Sequence, residues 1–137
     1  MSAAVDVRLI WVAGAIHAGI VSANIPLPGR LRVRENLAAV PRFLRQIFYV
    51  HWLYIVVVVG FFSALCFSFA RELAGASSLG RFLSAFMAAF WLSRLLLQWF
   101  YYDAGVRRAN RVLDALYGLS LLVLVGIFGW SAVHPSL

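Results

Sequence analysis

Histidine, arginine, glutamine and asparagine set inside long apolar stretches are the residues of this chain that could do chemistry. His17 and Asn24 lie seven positions apart in LIWVAGAIHAGIVSAN, and His51 and Tyr54 three apart in FYVHWLYI. Arg94, Gln98 and Tyr101 fall at i, i+4 and i+7 in SRLLLQWFYY. On a helix each of these spacings shares one face. Polar groups in hydrocarbon cost free energy unless something compensates them, so their grouping asks for a reason. Two histidines on adjacent helices could supply axial imidazoles to a b-type haem, the only metal binding that His17 and His51 suggest, with an arginine neutralising a propionate. Histidine and tyrosine could instead hydrogen-bond a quinone carbonyl in a mainly apolar groove. Arg94 with loop arginines could hold the phosphate of a lipid headgroup, its acyl chains lying in the same groove. The residue types leave all three open.

Other chemistries have less to stand on. No HxxxH, HxxE or ExxH spacing preorganises a metal, and Cys66 stands alone among Leu65, Phe67 and Phe69. No serine or cysteine is paired with a base, so no catalytic residue is nominated; an enzyme acting on a lipid-soluble substrate comes third behind a binding and a structural role. No carboxylate lies mid-span, which argues against a small ion-coupled antiporter.

The elements that must position these residues follow from composition. In 137 residues, 64% are hydrophobic and 12% charged. A soluble domain of this size has too little interior for so much apolar surface. Four apolar segments stand out, at about 9–25, 48–70, 82–102 and 113–133. The last three reach the roughly 20 residues that a hydrocarbon core requires, and the first does so with its flanks. Strand alternation is absent, which leaves helices as the spanning structure. The expected fold is an all-α integral membrane protein: a single domain, 1–137, forming a four-helix transmembrane bundle. Between segments one and two, Pro26, Pro28 and Gly29 stop the first helix. Leu37, Val40, Leu44 and Ile47 then recur at helical spacing, as in a short amphipathic helix on the membrane surface, bent near Pro41. Val21-Ser22-Ala23 resembles a cleavage site, but no cationic cluster precedes Arg8 and His17 interrupts the apolar stretch, so the first segment reads as a span.

Every cationic side chain is an arginine. Arg30, Arg32, Arg34, Arg42, Arg45, Arg107, Arg108 and Arg111 fall on one side of the bundle, against Arg8, Arg71 and Arg81 on the other. The positive-inside rule makes the richer side cytoplasmic, with both termini non-cytoplasmic, in a multi-pass protein of a cell membrane, read as a bacterial inner membrane. Arg30, Arg34, Arg42 and Arg45 are expected to meet lipid headgroups, and this accounts for the net charge of +7 without nucleic acid. In this topology His17 and Arg94 each sit about 12 Å, Gln98 about 6 Å and His51 about 5 Å from the cytoplasmic helix ends. The outer leaflet offers only serines, Ser63, Ser68, Ser84 and Ser131.

A cytoplasmic-leaflet pocket built from His17, Asn24, His51, Tyr54, Arg94, Gln98 and Tyr101 is therefore the expected ligand site. Taken singly, each of these residues reads as an interhelical tie, and Arg94 as a side chain that snorkels. Small residues, among them Ala13, Gly14, Ala18 and Gly19, favour close helix approach; they would serve a compact bundle, a homo-oligomer or another membrane subunit. Two readings compete: an accessory or binding module for haem, quinone or lipid, and a structural or assembly protein whose polar cluster only joins helices or docks a partner.

Overall fold

A computed structural model describes residues 6–135, and among them every regular element is a helix. The helices are α1 (Val7–Asn24), α2 (Leu27–Arg30), α3 (Val33–Asn36), α4 (Arg42–Ser68), α5 (Ala70–Ala74), α6 (Ser78–Phe100), α7 (Ala104–Ala109) and α8 (Arg111–Val133). Four of them, α1, α4, α6 and α8, are long and apolar enough to cross a membrane. At 18 to 27 residues they run about 27 to 40 Å, enough for a hydrocarbon core. Their outer surface is apolar: Phe61 is 60% exposed, Phe82 68% and Leu79 65%. In water that exterior would be a large penalty, whereas lipid solvates it.

The chain enters α1 behind Asp6, whose carboxylate accepts from the Arg8 amide at 2.9 Å. It leaves α1 just ahead of Pro26. Between the first two spans lie two single turns, α2 and α3, broken where Arg32 turns left-handed (φ 47), and Leu37 and Val40, expected on the short amphipathic helix, fall in the turns that follow α3. Beyond Pro41, Leu44 and Ile47 already belong to α4, because proline supports a helix it precedes but cannot sit inside one.

The long helices pack as two hairpins, α1 on α4 and α6 on α8, joined where α1 meets α8. Gly14 permits the first contact: a Cβ there would lie 3.0 Å from Cβ of Cys66 and 3.1 Å from the Phe67 ring. Ser63 donates to the Gly14 carbonyl at 2.9 Å across the same contact. At the end away from most arginines, α5 plugs the bundle. Leu73 and Ala74 are fully buried, and the Leu73 carbonyl accepts from both Ser84 (2.9 Å) and Ser131. A side chain on Gly80 would run into the Glu72 carbonyl oxygen, so glycine is needed there for α6 to start against α5. The fourth side of the bundle is different. α4 and α6 do not approach backbone to backbone. Large aromatic rings bridge them, Phe62 to Phe90 at 5.3 Å between centroids and Phe62 to Trp91 at 6.4 Å.

Candidate functional site

The intramembrane polar residues separate into three environments. The first is the aromatic centre. His17 is fully buried, with its ring 5.3 Å from Trp91, 5.8 Å from Phe62 and 5.9 Å from Phe128. Trp91 Nε1 stands 3.0 Å from His17 Nε2, and His17 Nδ1 stands 2.6 Å from the Ala13 carbonyl. An indole can only donate, so Nε2 must be the acceptor and Nδ1 carries the proton. Both nitrogens are therefore engaged, and the pair ties α1 to α6.

His51 lies elsewhere. It is exposed on α4, its Nδ1 2.9 Å from the Ile47 carbonyl one turn back. His17 packs at the level of Phe62, eleven residues beyond His51, or about 16 Å along the helix axis. The two imidazoles do not face a common plane, so the residues present do not fit a bis-histidine haem. Tyr54 (67% exposed) and Tyr101 (78%) also point away from the bundle.

The second environment is an ion cluster at the arginine-rich end, where α2, α3 and α7 lie. Asp114 on α8 receives a forked pair of bonds from Arg107, Nε to Oδ1 at 3.0 Å and Nη2 to Oδ2 at 3.1 Å. Gln98 of α6 donates to the same Oδ1. Arg107 is held above its usual range by the bond to this carboxylate. Gln98 is thus a buried link in a tie between α6, α7 and α8. Asp114 reads from the sequence as an end-capping residue only; its partner Arg107, seven positions upstream across a helix break, carries no local signal.

The third environment is a crevice of about 40 Å³. Ile55, Val56 and Val59 of α4 form one wall and Phe90 and Trp91 of α6 the other; the polar lining is Asn24, Arg94 and Tyr117. It occupies the open fourth side, on the arginine-rich half of the bundle. Arg94 is half-buried; it donates to the Tyr102 hydroxyl, and its guanidinium carbon stands 4.9 Å from the centre of that ring. It also interacts with the Tyr117 hydroxyl. Neither partner is an anion. Asn24 donates its amide to the Ile20 carbonyl at 2.8 Å, which leaves its oxygen free to accept.

Of the residues expected in one pocket, the crevice thus gathers Asn24 and Arg94. Tyr117, Tyr102 and Trp91 are added to that neighbourhood; Tyr117 follows Asp114 by three on α8, and this shared face was the available signal. Arg30, Arg34 and Arg42 are exposed and Arg45 half-exposed, all at the arginine-rich end. No protein-family model, curated protein or solved structure matches the chain. The site's chemistry has to come from its own residues.

Proposed function

We propose that this small four-span membrane protein is a binding or accessory module whose crevice between α4 and α6 holds an amphipathic molecule from the membrane. The anionic or strongly polar head of that molecule sits at Arg94, and its apolar body lies against Ile55, Val56, Val59 and Phe90. The observation that carries this reading is the charge of Arg94. It is a half-buried guanidinium on a span-length helix, facing a crevice, with tyrosines for partners and no carboxylate partner among the described residues. A cation without a counter-charge at that depth is only partly compensated by tyrosines, and an incoming anion would relieve the remaining cost. Because His17 is saturated and His51 is remote, a lipid-like head group is favoured over a quinone held by histidine, and both over haem. The positive-inside rule assigns the arginine-rich end, and with it the crevice, to the cytoplasmic leaflet.

The test is mass spectrometry of small molecules extracted from the full chain purified in mild detergent, with Arg94→Gln and the crevice-filling Val56→Trp beside the native protein. The native protein should carry a defined amphiphile that both substitutions deplete by roughly tenfold to a hundredfold, the equivalent of one charge-assisted hydrogen bond for Arg94→Gln. An empty native protein, or the same complement in all three, overturns the proposal.

A structural role is the second reading, and a specific observation favours it for part of the cluster. His17 and Gln98 spend their hydrogen bonds on other helices or on their own backbone. Those residues are read as ties whichever molecule the crevice takes.

A further inference from the structure

We propose that a separate basin at the junction of α7 and α8 binds the phosphate of an anionic phospholipid, gripped by Arg108 and Arg111. The basin has a volume of about 320 Å³ and is lined by Ala104, Arg107, Arg108, Arg111 and Asp114. Three cations and one carboxylate therefore face it, and their pairing decides which charge is available. Arg107 is spent on Asp114 through two parallel bonds and reaches the Trp99 carbonyl with its third nitrogen. Asp114 is spent as well: Arg107 and Gln98 share one of its oxygens, and Arg107 takes the other. It therefore presents a neutralised edge to the basin rather than a repelling one. Arg108 and Arg111 have no carboxylate partner among the described residues. Two like charges facing one basin repel each other, and a shared anion turns that repulsion into attraction.

The backbone adds to the same potential. Asn110 stands at the cap position of α8, but its side chain does not cap the helix; its amide turns back to the Val106 carbonyl at 3.1 Å. The positive end of a 23-residue helix is thus left without a side-chain cap directly beside Arg111. Guanidinium forks match phosphate oxygens, and an N-terminal helix end favours the same charge. What lies below the basin identifies the source of the phosphate. Ala115, Leu119 and Leu122 follow Arg111 at i+4, i+8 and i+11, and all three are exposed, Leu119 by 58% and Leu122 by 46%. They lie on one broad face, so a head group in the basin would lay its acyl chains along α8. This site shares no lining residue with the crevice, where Arg94 of α6 is the cation.

Native mass spectrometry of the full chain in detergent, titrated with phosphatidylglycerol, phosphatidylcholine of the same chains, or inorganic phosphate, tests the assignment. Phosphatidylglycerol should bind in preference to phosphatidylcholine, and the Arg108→Gln, Arg111→Gln double variant should weaken it at least tenfold, at about fivefold per arginine. Arg30→Gln with Arg34→Gln changes the net charge equally and should leave the affinity within about twofold. Equal losses in the two double variants would reduce the effect to diffuse surface charge and overturn the site. Equal binding of the two lipids would also overturn it, as would displacement of the lipid by equimolar inorganic phosphate. Far-UV circular dichroism checks that the double variant keeps its helices; if it does not, the single variants carry the test, each expected to lose about fivefold.

Discussion

Trp91→Phe should destabilise the bundle through one atom, His17 Nε2. The native indole donates to that nitrogen at 3.0 Å, and both residues are almost completely buried (His17 0% exposed, Trp91 1%). Phenylalanine keeps an aromatic ring beside Phe62 and Phe90 but removes the donor, and no water can replace it among Phe62, Phe90 and Phe128. Interhelical hydrogen bonds in membrane proteins average about 0.6 kcal/mol and reach about 1.7. Orphaning a buried acceptor costs about 1–3 kcal/mol. The expected loss for Trp91→Phe is therefore about 1–2 kcal/mol. His17→Phe orphans the indole N–H instead, so adding Trp91→Phe to it should cost little or even recover stability. The assay is reversible unfolding in mixed detergent–dodecyl sulfate micelles followed by far-UV circular dichroism, arranged as a double-mutant cycle. A coupling of about 0.6–1.7 kcal/mol is expected. Additivity to within about 0.3–0.5 kcal/mol would refute the hydrogen bond as a tie. A b-haem absorption band that vanished in His17→Phe would refute the reasoning from the other side, since iron would then hold the nitrogen assigned to Trp91.

Gly14→Leu should separate α1 from α4, because Cys66 Cβ and the Phe67 ring already stand 3.0 and 3.1 Å from the first added carbon. Overpacking of this kind costs about 1–3 kcal/mol in the same unfolding assay. Ser84→Ala and Ser131→Ala should each have a small effect alone, since the Leu73 carbonyl keeps its other donor. The double variant orphans that carbonyl and should lose more than the sum of the two, by about 1 kcal/mol; additivity would mean that the carbonyl finds another partner. Asp114→Asn should lower the thermal midpoint by unpairing Arg107, and exchanging the pair (Arg107→Asp with Asp114→Arg) should recover part of the loss. No recovery would show that Gln98, not the ion pair, holds this end together.

The four long helices were legible because each run of apolar residues must be satisfied within its own segment when lipid is the solvent, which ties length and composition directly to structure. Their starts were less legible. α4 begins at Arg42, six residues before the apolar run at Phe48, because Pro41 rather than hydropathy sets the helix start. α5 had no signal: Ala70, Leu73 and Ala74 look like the tail of a span, and only tertiary contact folds them back under the bundle. In the site, neither depth nor direction was fully legible: residue counts set His17 and His51 about 7 Å apart in depth, whereas packing at Phe62 separates them by about 16 Å along α4. Counting residues placed His17 and Arg94 at similar depths, yet one turns into an aromatic centre and the other toward an open crevice. Which way each helix is rotated depends on Gly14, Cys66 and Phe62, residues whose packing no spacing rule reports.

The proposed division between ligand-binding and structural polar groups rests on partner accounting more than on depth. The protein has few ways to compensate a polar group away from water, and it uses most of them visibly: indole to imidazole, serine to carbonyl, guanidinium to carboxylate. Where such a bond closes within the chain, its energy goes into holding helices together, and a ligand could enter only by breaking it. By that condition His17 and Gln98 read as ties between helices, however suggestive their types. It leaves Arg94, Arg108 and Arg111, which line the crevice and the basin and, like the other arginines outside the three ion pairs, have no carboxylate partner among the described residues. A carboxylate can be placed against an arginine in this bundle, as Asp114 is against Arg107. On the proposed reading, the charge that these arginines leave unbalanced at the crevice and the basin is what an anionic amphiphile would use.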